Sequence, residues 1–150
     1  VESSHRQATN LRTGGHLKKP DRWTLLEEWL IESQTLLFLS DWKVTVVRDA
    51  ADVDAWADID PHSQNLTADL RVAHDFWRQE PEKQRLILTH ELLHLITCRT
   101  DRVVENLEDA LGKIAWSVYG PQYEDATERM TEHLATVIAP FLSVPEFPKA

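Results

Sequence analysis

The sequence has almost none of the features that would tie it to a membrane, a disulfide scaffold or a nucleic acid. One cysteine in 150 residues, Cys98, excludes an internal disulfide framework and fits a reducing compartment. No stretch approaches 18 uncharged apolar residues, and no basic segment runs into an apolar one as a signal peptide would. Positive charge is scarce: 16 Lys and Arg stand against 25 Asp and Glu, a formal charge of -9. Without a long basic patch, that balance argues against nucleic-acid binding. A cytoplasmic setting with neither membrane nor nucleic acid as partner is therefore expected. What remains is ordinary for one globular domain with a single core, 42% apolar with six tryptophans.

Within that plain composition one stretch is chemically specific, Thr89-His90-Glu91-Leu92-Leu93-His94-Leu95-Ile96. Residues i and i+4 of a helix share a face about one turn apart, so His90 and His94 can aim ring nitrogens at one metal ion with Glu91 beside them. Imidazole is a good Zn²⁺ ligand, and a carboxylate next to the ion can act as general base toward water. Leu86, Ile87, Leu92, Leu93, Leu95 and Ile96 set the motif in an apolar helix, where unpaired imidazoles would be costly. The expected cofactor is one Zn²⁺ per chain. Satisfied core histidines are the plainer alternative.

Three segments are expected: a mobile arm over 1–21, a domain over 22–142 and an irregular tail over 143–150. The arm is polar and lacks periodicity; a partner-binding tail is its functional alternative. The first helix is expected from Arg22 to Leu39 with Asp21 as N-cap, and its apolar residues Trp23, Leu25, Leu26, Trp29, Leu30, Ile31, Leu36, Leu37 and Phe38 form a broad stripe. Alternation predicts strands over Trp42–Val47, Ala55–Ile59 and Leu66–Val72, with a turn over Pro61–Asn65. Asp52, Asp54, Asp58 and Asp60 do not follow a calcium-loop pattern and are read as solvated. The motif helix should open at Glu80-Pro81-Glu82 and run to Cys98. A further helix is expected from a cap at Asp101 to Gly120-Pro121, and a last one from Gln122 to Ala139.

A catalytic zinc needs a third protein ligand and an open position. Glu128 and Glu132 lie one turn apart on the last helix, interspersed with the small residues Thr131, Ala135 and Ala139, which let a neighbouring helix approach. Glu128 is the expected ligand, with Glu132 accepting a hydrogen bond from a liganding histidine. Glu132 as the ligand is the reverse possibility, and His133, Asp125 and Glu124 are weaker rivals. His62 and His74 precede the motif and are expected in surface or core roles. Cys98, one turn beyond His94, is read as a small buried hydrophobe.

His90-Glu91-Leu92-Leu93-His94 followed by Glu128-Arg129-Met130-Thr131-Glu132 resembles the zincin metallopeptidases of the glutamate-ligand branch. The apolar helix end closed by Pro140 is similar to the small ImmA/IrrE-like peptidases of bacteria and phages, although aligning Pro140 puts the family's glutamate position on Arg129. The resemblance, over about Leu66 to Pro140, implies an α+β zincin-like minimal metallopeptidase fold, a three- to four-stranded sheet packed on helices around the motif helix. It implies peptide-bond hydrolysis, with Glu91 as general base and zinc on His90, His94 and Glu128. It also implies that the strand Leu66–Val72 is an edge to which an extended peptide adds. Tyr119, Tyr123 and His133 are candidate donors to the tetrahedral intermediate. A non-catalytic binding module and a hydrolase of non-peptide substrates are the alternatives.

Overall fold

The computed structural model describes residues 19–50 and 53–148. Most of the expected arm, and Asp52, lie outside these residues. The first helix, α1 (Arg22–Leu36), is capped as expected: the Asp21 carboxylate accepts from the backbone N–H groups of Trp23 and Thr24. It ends three residues early because Phe38 takes a left-handed conformation, φ 57°. Its buried side is narrower than expected: Leu26, Trp29 and Leu30 enter the core, but Ile31, Leu36 and Phe38 are exposed. Ser33 and Gln34 are buried in their place, and the Gln34 Nε2 donates to the carbonyls of Leu39 and Trp42 at 3.1 and 2.9 Å, fixing the turn into the sheet.

Three strands follow, β1 (Lys43–Val47), β2 (Ala57–His62) and β3 (Thr67–Val72). The second lies further along the chain than alternation predicts and takes in Pro61 and His62. The sheet order is β1-β3-β2, with β3 parallel to β1 and antiparallel to β2. This corrects the expected edge strand: Leu70 of β3 faces Val46 on one side and Ile59 on the other, so Leu66–Val72 has no free edge for a peptide. The edges belong to β1 and β2. Alternation still sorts the faces, with Ala68, Leu70 and Val72 buried toward the helices and Asp69 outside.

A short 3₁₀ turn, His74–Arg78, seats Phe76 and Trp77 in the core before the long helix α2 (Pro81–Glu105) begins. Leu88, Leu92 and Leu95 form its core stripe, whereas Leu86 and Ile96 are exposed, so α2 is not buried all round. The expected cap at Asp101 is absent. Asp101 lies inside α2, because nothing after Cys98 removes an N–H or demands a positive φ before Gly112. The last helix, α3 (Leu107–Ile138), is broken at Gly112 (φ 75°, ψ 160°) and continues through Pro121, the reverse of the expected break at Gly120-Pro121. Gly112 adopts a φ that other residues reach only under strain. The expected tail is irregular but docked: the Trp29 indole donates to the Ser143 carbonyl at 2.9 Å, and the Phe147 ring meets Phe76 and Trp77.

Candidate metal centre

The site forms where α2, α3 and β2 meet. Thr131 and Ala135 on α3 and Ala139, just past its end, recur every fourth residue and are all buried, so that face lies against α2 without bulky side chains between them. Glu128, one turn before Thr131, is thereby carried over the motif turn of α2. His90 and His94 face each other across that turn with Nε2 atoms 3.1 Å apart. The Glu128 carboxylate closes the triangle, Oε2 3.3 Å from His90 Nε2 and Oε1 3.4 Å from His94 Nε2.

These separations suit a shared ion. Ligands about 2.0–2.1 Å from a tetrahedral Zn²⁺ stand about 3.3 Å from each other. The two distances to Glu128 run to different carboxylate oxygens, and with one ligand atom from each residue the three lie within 4.8 Å of one another, a donor set that could hold a divalent metal. His94 has its pKa lowered, chiefly by burial, against an opposing pull from the Glu128 charge, which favours the neutral ring a metal requires. Glu128 itself is exposed on its outer side.

Glu91 stands between the metal triad and the sheet, only 8% exposed. Burial, and then the charges of Asp58 and Glu128, push its pKa up to about 8, while the neighbouring Ile59 backbone N–H pulls the other way. The Trp56 carbonyl accepts from the Ala73 N–H, so in the register of β2 with β3 the backbone groups of Ala57, Ile59 and Pro61 turn away from β3, to the open edge. A cleft of about 620 Å³ runs along β2, bordered by residues 57–62, His90, Glu91, His94 and Glu128.

The other expected residues are placed as follows. Glu132 borders a small pocket with His90 and Glu91, but among the described residues it makes no hydrogen bond to His90 or His94, contrary to expectation. Tyr123 donates its hydroxyl to Asp101 at 2.7 Å and stacks on Tyr119. His133 is exposed and, five residues beyond Glu128, lies about 140° round the helix axis from it. Arg129, on the position suggested by aligning Pro140, is paired with Asp125. Glu124 borders a pocket between α2 and α3, and His74 is exposed beside Trp77. His62 lies at the far end of the main cleft. Cys98 is buried with its thiol directed at the Leu95 carbonyl, apart from the triad. Missed by sequence reasoning was the bidentate Arg71–Asp58 pair, 2.7 and 2.9 Å, across the β2–β3 pair. The alternating residues Asp58 and Arg71 carried that signal once the strands were in register. In comparisons with protein-family models, curated proteins and solved structures, nothing matches this chain significantly.

Proposed function

We propose that this chain is a zinc-dependent peptidase of the HExxH class, with His90, His94 and Glu128 as ligands and Glu91 as general base. The observation that carries this reading is the convergence of two imidazoles and a carboxylate, their ligand atoms within 4.8 Å of one another, beside a buried carboxylate in a cleft along a strand edge. A bound Zn²⁺ would supply Lewis acidity, acidifying a water and polarising the scissile carbonyl. Glu91 takes the proton of the attacking water and delivers it to the leaving amine nitrogen as the C–N bond breaks. The peptide is held in extended form against β2, whose outward backbone groups at Ala57 and Ile59 offer β-addition. That role moves from Leu66–Val72, which is paired on both sides. Tyr123 shares a pocket with His94 and Glu128 and would serve as donor to the tetrahedral oxygen on releasing Asp101, to which its hydroxyl now donates; the exposed His133 has no comparable support. The open groove favours a peptide over a small closed-pocket substrate.

The test is metal analysis followed by peptide cleavage. Protein purified without added zinc, or reloaded after chelation, should hold one zinc per chain. Glu91→Gln should keep the metal and lose cleavage of a random peptide library read by mass spectrometry. Failure to take up zinc, or a metal closed off by a fourth protein ligand, refutes the proposal.

A further inference from the structure

The cleft has different chemistry on the two sides of the metal triad. On one side Trp56, Leu86, Ile87 and Ala135 surround about 230 Å³ that opens onto His90 and Glu91. Trp56 and Leu86 remain 40% and 36% exposed, and Lys83 sits 3.4 Å over the indole, fixing it as a wall. On the other side the main cleft is bordered by Asp60, Asp101 and Glu105, and Arg102 is the one Lys or Arg among its lining residues. The neighbouring Asp58 is already taken by Arg71 and Asp101 holds the Tyr123 hydroxyl. Among the described residues Asp60 has only His62 as ion-pair partner, at 4.0 Å, and Glu105 has none.

Residues 57–62 of β2 run beside the triad from the apolar pocket to the acidic end. An extended chain paired along them advances about 3.3 Å per residue, so both ends fall within reach of one short peptide. Resting on the peptidase reading, we propose that the cleft selects a peptide with an apolar side chain in the Trp56–Leu86–Ile87 pocket and a lysine or arginine at Asp60 and Glu105. The carbonyl between those two side chains lies at the triad. Burial of a leucine-sized group gives roughly tenfold or more in affinity. The cation adds a few-fold, and that part falls with salt.

The experiment uses zinc-loaded Glu91→Gln protein, which cannot consume its ligand, and fluorescein-labelled hexapeptides carrying one leucine and one lysine two to four residues apart in either order. Anisotropy should show at least tenfold tighter binding than for peptides with serine in place of the leucine. Glutamate in place of the lysine should cost a few-fold, and raising salt should remove the lysine preference alone. Adding Trp56→Ala should abolish the leucine preference and keep the lysine preference. Adding Asp60→Lys with Glu105→Lys should invert the charge preference. Absence of peptide binding, or binding indifferent to both substitutions, overturns the proposal. Wild-type zinc protein is then given the same peptides: preferential binding without cleavage would remove the peptidase reading and leave the selectivity standing, while cleavage without preference would do the reverse.

Discussion

Replacing Glu128 by Gln isolates the metal-binding role of one side chain. Its carboxylate is more than half exposed and meets only the two histidine nitrogens, so the metal-free fold should change by no more than about 0.5 kcal/mol. With zinc the comparison is different. A ligand at 100 times its dissociation constant stabilises the native state by about 2.7 kcal/mol, which for a chain of this size raises Tm by roughly 5–11 °C. The ion would join α2 to α3, two helices that already meet along the small residues Thr131 and Ala135 and through the Tyr123–Asp101 hydrogen bond. Removing one of three ligands should weaken zinc by at least about 100-fold, more than a lost outer hydrogen bond costs, and so cancel nearly all of that shift at the same free zinc. Glu132→Gln, which lacks any contact with the histidines, should keep it. The assay is differential scanning fluorimetry with buffered zinc, beside a chelated control. A wild-type shift in Glu128→Gln, or equal losses in both variants, would refute the assignment of Glu128.

Further outcomes follow from other contacts. In the chelated protein Glu91 has a folded-state pKa raised to about 8, so the unfolded chain releases this proton first and stability falls as pH rises from about 4.5 through about 8. Glu91→Gln should remove that slope and, at pH 8, stabilise the metal-free protein by roughly 3–5 kcal/mol in urea titrations; a variant as pH-sensitive as wild type would contradict the burial of this carboxylate. Gln34→Leu should strand the Trp42 carbonyl and leave the Leu39 carbonyl with the Trp42 N–H alone, costing about 1–3 kcal/mol, visible as a lower urea midpoint at unchanged m-value. Phe147→Ala should cost about 1–2 kcal/mol by calorimetry, because its ring meets Phe76 and Trp77; no loss would show that the tail is not part of the domain's stability.

Much of this architecture is written in local patterns. Asp21 is read as an N-cap because a short acceptor before an apolar-periodic run satisfies the first free N–H groups, and it does so here. Strand alternation over Thr67–Val72 is equally local, since one buried face imposes a period of two. Strand order is a different kind of information. Whether β3 ends up central or at an edge depends on which partners cover each side, and alternation is the same in both cases. The helix ends show a related competition: Pro121 removes one N–H yet α3 runs through it, whereas Gly112, flanked by good helix formers, carries the break.

The candidate site divides along the same line. His90, Glu91 and His94 share one helix, so their relative placement needs only a 3.6-residue turn. Glu128 required long-range packing, and the legible hint was the file of Thr131, Ala135 and Ala139, whose burial confines Glu128 to the α2-facing side. Glu132 could not be separated from Glu128 by spacing, because both share the face and only the approach of α2 ranks them. The elevated pKa of Glu91 was also beyond sequence reasoning, since it arises from burial against β2 and from Asp58 on that strand. The same strand whose Ile59 and Asp58 influence Glu91 also presents the open edge of the cleft. A peptide pairing there would meet Glu91 and the metal triad together, which makes the position of β2, rather than β3, the feature that ties the fold to its proposed chemistry.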